Sequence, residues 1–75
     1  MTDKGVVILV VDDEKPIRRF LKAALAAHHF TVHEAENGEE ALFQAANLRP
    51  DVVILDLGLP DIDGIEVTSR LREWT

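Results

Sequence analysis

Two unbroken aliphatic runs, VVILVV at residues 6–11 and VVIL at 52–55, each stop on an acid, and no other feature narrows the possible folds as much. A strand with one wet face alternates apolar and polar side chains. A run rich in β-branched residues and apolar at every position suits a strand covered on both faces, as in a parallel sheet between helices. Between the runs the pattern takes a helical period. Pro16 suits a first helical turn, and Ile17, Phe20, Leu21, Ala24, Leu25 and His28 follow at three- and four-residue steps, leaving Arg18, Arg19 and Lys22 mostly on the wet side.

The remaining segments complete the alternation. Residues 30–35 read as a short second strand. Asn37 followed by Glu40 has capping-box spacing for a helix over 38–47, and the Arg49-Pro50 step ends it, because a residue before proline is pushed out of the helical region. After the third strand, 52–55, come a loop over 56–63 and a third helix over 64–74 with Val67, Leu71 and Trp74 on one face. Three strand–helix pairs in succession predict an α/β unit with a parallel sheet and helices on both faces.

Bulk properties narrow the function. A chain of 75 residues holds one small domain with a thin core. It has no cysteine, which removes disulfides and thiolate metal sites and fits a reducing, cytoplasmic setting. Fourteen acidic against eight basic side chains give a net charge of −6, the wrong sign for gripping phosphate backbones, so no direct nucleic-acid binding is expected. No apolar run approaches the ~20 residues of a membrane span, and the opening MTDKGVVILVVDDE lacks the cationic region and longer apolar segment of a secretion signal. No membrane association is expected.

The acids become informative once the sheet is drawn. In open parallel sheets, ligands bind beyond the carboxyl ends of the strands, where strand order reverses. With the strands in 2-1-3 order, Asp12 and Asp13 at the end of the first meet Asp56 at the end of the third. Two unit charges about 4 Å apart repel by ~4 kcal/mol at an effective dielectric of about 20, so three ionised acids there require a proton or a cation. Few, hard oxygen donors open to water suit magnesium, with manganese as a substitute. A plainer reading stands beside this one: strands often end in Asp because it caps the next helix, and Asp12, Asp13 or Glu14 fit that role.

Other signals carry less. His28, His29 and His33 lack acids or cysteines in a metal-site pattern, and Trp74 reads as packing on a helix stripe. The Asp61-x-Asp63-Gly64 segment has the look of a calcium loop until its glycine is aligned, which puts Leu59 and Arg70 at ligand positions. There is no glycine-rich nucleotide loop.

The motif VDDE after the first strand and DLGLPDIDG after the third resemble the receiver domain of bacterial two-component response regulators. The segments IRRFL at 17–21, DLGLPDIDGIE at 56–66 and LREW at 71–74 are similar to the OmpR/PhoB class of that family. The resemblance runs over essentially the whole chain but covers only the first three strand–helix pairs of a receiver. It implies a truncated flavodoxin-like (CheY-like) fold, β1α1β2α2β3α3, with sheet order 2-1-3. It also implies that Asp56 accepts a phosphoryl group from a histidine of a sensor kinase. Magnesium would be bound by Asp13, Asp56 and the backbone carbonyl of Gly58, with Asp12 acting through a bound water. Such a domain is a signalling module rather than an enzyme, with at most weak autophosphorylation and autodephosphorylation.

A complete receiver has two more strand–helix pairs, with a Ser or Thr ending strand four and a Lys ending strand five, both touching the phosphoryl group. Thr68, Ser69, Thr75, Lys4, Lys15 and Lys22 match neither position, so phosphorylation is expected to be impaired. Transcriptional output is not expected from these residues alone, because the DNA-binding domain of the OmpR/PhoB class lies outside them. The third strand is left as a bare apolar edge, and an exposed edge is a template for pairing. A homodimer with Val52–Leu55 of each copy paired antiparallel is therefore expected. The competing reading is a noncatalytic, self-associating interaction fragment that is not phosphorylated. A carboxylate-nucleophile phosphohydrolase is disfavoured, since such enzymes want Asp-x-Asp at the first strand.

Overall fold

The computed structural model describes residues 5–56 and 58–73. The elements run β1 (Val7–Val11), α1 (Lys15–Ala26), β2 (Thr31–Ala35), α2 (Gly38–Leu48), β3 (Val52–Leu55) and α3 (Gly64–Arg72). Both strand pairs are parallel, as the alternation predicts, and the order is β2-β1-β3, as the resemblance to a receiver implies. In this register Val11 lies opposite Ala35 on one side and Leu55 on the other.

The unbroken β1 run follows from its central place. Ile8, Leu9, Val10 and Val11 are all buried, because β1 has a strand on each side and helices over each face. Alternate side chains go to opposite faces. Leu9 and Val11 join Ala35, Ala41, Ala45, Leu59 and Val67 in the main core, with Leu42, Val53, Leu55, Ile62 and Leu71 packed against it. On the other face Val10 lines a groove with Ile17 and Leu21 of α1. Fully burying one aliphatic side chain is worth ~1.5–3 kcal/mol, so each β1 residue matters in a domain whose core supplies about 3–5 kcal/mol. The β3 run reads the same in sequence but is only partly covered, and Val52 is 45% exposed, because β3 lies at the sheet edge.

Several local expectations are corrected. Arg18, expected on the wet side of α1, is buried. The α1 stripe is in turn half open, with Ile17 41% and Phe20 70% exposed. The reason is where α1 sits: it packs over β2 and β1, which brings the Arg18 side of the helix against Glu34 of β2. His28 does not close the stripe. The helix ends at Ala26, and His28 lies exposed in a turn finished by His29 at φ 70°. α2 runs one residue further than expected, to Leu48, and Arg49 ends it in the left-handed region, at φ 50° and ψ 62°, with its N–H still bonded to the Ala45 carbonyl. Trp74 lies outside the described residues.

Candidate functional site: an acidic cluster at the strand ends

Strand register builds the site. Val11 and Leu55 are paired, so the next residues, Asp12 and Asp56, leave the sheet side by side. Their backbones are fixed one step beyond the strands: the Asp12 N–H donates to the Ala35 carbonyl at 3.1 Å, and the Asp56 N–H to the Val11 carbonyl at 3.0 Å. Carboxylate oxygens of Asp12, Asp13 and Asp56 all lie within 4.8 Å of one another, with Asp13 exposed and the other two half-buried. Among the described residues no other group of three or more His, Asp or Glu side chains is gathered this way, and none of the three histidines takes part.

The three acids differ in their local contacts. Asp12 Oδ1 accepts the Glu14 N–H at 2.8 Å, which turns the chain from β1 into α1. That bond reaches the N–H of the N-cap residue itself, so it is a turn contact, and the helix-capping reading does not account for Asp12. Nor does it account for Asp13, which has no hydrogen-bond partner among the described residues, and Glu14, the N-cap of α1, makes no side-chain cap bond. Asp56 Oδ1 accepts the Gly58 N–H at 3.0 Å, so Gly58 stands two residues on in an exposed turn folded back on the acid. The cluster opens on a groove of about 320 Å³ lined by Val10, Ile17, Leu21 and Ile54, with Asp12, Glu14 and Asp56 at its polar end.

At this spacing each pair of full charges repels by roughly 3.5 kcal/mol at an effective dielectric of about 20, and by less at exposed Asp13, where water screens it. Three hard oxygen donors, crowded together and open to solvent on one side, fit a magnesium ion that keeps several waters; they are too few for a closed calcium cage.

Two supporting contacts were not legible in the sequence. The Arg18 guanidinium donates from Nη1 to the Asp12 carbonyl at 2.7 Å and from Nε to Glu34 Oε1 at 3.1 Å, tying the acidic turn to α1 and β2. Lys22 adds an ion pair to Glu34 at 3.5 Å. The second contact is Asp61. Its Oδ1 accepts the Gly38 N–H at 2.7 Å and the Ile62 N–H at 2.9 Å, and its Oδ2 the Glu39 N–H at 3.0 Å. The Glu39 and Gly38 N–H groups hold the Asp61 carboxyl below its ordinary value of 3.8. Asp63 Oδ1 accepts the Ile65 N–H and caps α3, so both acids of the calcium-like segment are spent on helix starts. The only sequence cue to Asp61 is that an acid near a proline turn can cap a helix, and nothing local names α2 as that helix.

A 2-1-3 parallel sheet whose first and third strands deliver acids to one mouth defines a receiver, and the chain belongs to the response regulator receiver domain family, whose model matches residues 8–75. It is similar to the KDP operon transcriptional regulatory protein KdpE of Escherichia coli (strain K12), with 52% identity over 68 residues, 91% of this chain and 30% of that protein. It is 50% identical over 66 residues to the transcriptional regulatory protein SrrA of Staphylococcus aureus (strain NCTC 8325 / PS 47), covering 88% of this chain and 27% of SrrA. Among solved structures it superimposes on the chemotaxis response regulator CheY4 of Vibrio cholerae with a TM-score of 0.89 at 33% identity, over 92% of this chain and 57% of that one. The response regulator TrrA of Thermotoga maritima, in complex with Mg²⁺-BeF, matches with a TM-score of 0.88 at 44% identity, over 93% of this chain and 61% of that one. The chain therefore spans less than a third of these curated relatives and about three-fifths of these solved chains. Among the described residues no helix is long and apolar enough to cross a membrane.

Proposed function

We propose that this chain is a cytoplasmic, phospho-accepting signalling module in which Asp56 takes a phosphoryl group from a phosphohistidine of a sensor histidine kinase. The observation that carries the reading is the convergence of Asp12, Asp13 and Asp56 within 4.8 Å at the mouth of the sheet. The Gly58 N–H holds Oδ1 of Asp56, which fixes the plane of the carboxylate and leaves its other oxygen to attack. As the new O–P bond forms, the N–P bond to the donor imidazole breaks, and the released nitrogen takes up a proton. Asp13, Asp56 and the Gly58 carbonyl, with Asp12 acting through a water, are the residues that hold magnesium, or manganese in its place. The bound ion supplies positive charge against the oxygens of the transferring phosphoryl group. TrrA, similar over 93% of this chain, in complex with Mg²⁺-BeF, supports the assignment. A role in transcription regulation is part of the same proposal, because KdpE and SrrA are transcriptional regulatory proteins.

The experiment is to incubate the chain with a small phosphodonor, with and without magnesium, and read intact mass. The expected result is addition of one phosphoryl group that depends on magnesium and is abolished in Asp56→Asn. Equal labelling of Asp56→Asn would contradict the assignment, and no labelling of the wild type would favour the unphosphorylated interaction fragment.

The β3 edge supports a second proposal, a homodimer. Among the described residues no strand pairs with the outer side of β3, Val52 is 45% exposed, and Ile17 of α1, 41% exposed, lines the same groove as Ile54 and Leu55. Two copies pair Val52–Leu55 antiparallel about a two-fold axis. Sedimentation analysis is expected to find a dimer that Val52→Lys dissociates, and a folded wild-type monomer at the same concentration would refute it.

A further inference from the structure

The loop over 56–63 carries Asp56 and Gly58 at one end, and at the other it is locked to a helix that takes no direct part in the acidic cluster. The first turn of a helix leaves its N–H groups without intrahelical partners. In α2 the Glu40 N–H is taken by the local cap, Asn37 Oδ1, at 2.8 Å. The two before it, on Gly38 and Glu39, are taken by the two oxygens of Asp61, which lies more than twenty residues further along the chain. This is a tertiary cap, and it joins α2 to the acid-bearing loop.

The fit is close. A Cβ on Gly38 would lie 2.9 Å from Ile62 Cβ, 3.1 Å from Val67 Cγ2 and 3.2 Å from Asp61 Oδ1, so only glycine lets the loop lie against the helix start. Upstream, Leu59 is buried in the core, and Pro60, with its fixed φ, joins it to Asp61. With Leu59 and Asp61 both fixed, little freedom is left to the Gly58 turn that grips Asp56.

We propose that Asp61 is a positioning residue for the cation site: its carboxylate clamps the loop to the amino end of α2 and so sets Asp56 and Gly58 in the geometry a divalent ion requires. The inference rests on the reading of Asp12, Asp13 and Asp56 as that site. Asp61 acts through the loop and touches neither ion nor phosphoryl group. Its side chain is exposed, so its removal lets water reach the α2 N–H groups and leaves the core intact.

The test is magnesium affinity, by calorimetry, with amide hydrogen exchange at Gly58 as a second readout. Asp61→Asn and Asp61→Ala are expected to weaken magnesium binding roughly tenfold, the scale of lost outer contacts at metal sites. Gly38→Ala, which changes no charge and pushes the loop from the other side, is expected to do the same, and all three to speed exchange at Gly58. Two controls separate positioning from stability and from net charge. Asn37→Ala removes the local cap of the same helix without touching the loop, and Glu39→Gln removes a neighbouring charge while keeping its N–H; both are expected to bind magnesium as the wild type does. Wild-type affinity in Asp61→Asn and Gly38→Ala, or an equal loss in Asn37→Ala, would overturn the inference alone. A wild-type chain that bound no magnesium would overturn the site reading and this inference with it.

Discussion

Asp56 donates its backbone N–H to the carbonyl of Val11 at 3.0 Å, and this bond carries the β1–β3 pairing to the point where the two strands release their acids. The carboxylates are brought together by strand register, the strongest constraint the sheet has, and not by a flexible loop closing on a ligand. Repulsion among them is opposed by every buried residue of β1, because separating Asp12 from Asp56 means unzipping strands that pack Leu9, Val10 and Val11 out of water.

The Arg18–Glu34 pair is expected to behave as a buried contact. Arg18→Ala leaves Glu34 without its main partner and frees the Asp12 carbonyl, at a cost of about 2–3 kcal/mol. That is a large part of the ~3–5 kcal/mol available to a core of this size. Urea unfolding measures it. A loss below about 0.5 kcal/mol would mean the pair acts as an ordinary surface bridge.

Much of this architecture was legible because full burial imposes an apolar run. β1 is central and reads so; its acids then fall at the mouth of the sheet by the general rule for open parallel sheets. What failed were contacts whose two halves lie far apart in the chain. Arg18 looks like a solvent residue by type, and only the packing of α1 over β2 reveals Glu34 as its partner, sixteen residues on. Asp61 serves α2 across more than twenty residues. The capping box at Asn37 was legible, yet its return bond goes from the Glu36 N–H to Glu40 Oε1, one residue earlier than the motif specifies. The VVIL run does not itself distinguish an edge from a centre, because β-branched composition reports strand propensity and not which faces a neighbour hides. The bare edge at β3 follows instead from the resemblance, which stops at three strand–helix pairs.

Acid sensitivity is expected to be shared by the Asp61 clamp. Its carboxyl is held below the ordinary 3.8 by the Glu39 and Gly38 N–H groups, so its contribution to stability is fully present above that value and is lost as pH falls through the lowered one. The stability gap between wild type and Asp61→Asn should therefore be constant at neutral pH and narrow in acid. Thermal unfolding across the acid range reads this directly; a gap that widened in acid would reverse the sign and contradict the contact. Because the group is exposed, salt should reduce the gap.

Arg49 offers a stabilising change. It ends α2 at φ 50°, where a Cβ is unfavourable and glycine is not. Arg49→Gly is expected to stabilise the chain by about 0.5–1 kcal/mol, the conformational gain being offset in part by the greater freedom of glycine in the unfolded chain. A raised melting temperature with unchanged magnesium affinity checks it, since Arg49 lies at the far end of α2 from the Asp61 clamp.

The proposed function requires three carboxylates to act as one seat for a divalent ion. Calorimetric titration of magnesium into the wild-type chain and into Asp13→Asn addresses this most directly, because Asp13 is exposed and its change leaves the fold alone. One ion per wild-type chain is predicted, with binding largely lost in Asp13→Asn. A folded wild-type chain that took up no magnesium, or an Asp13→Asn chain that bound it equally well, would contradict a shared carboxylate seat.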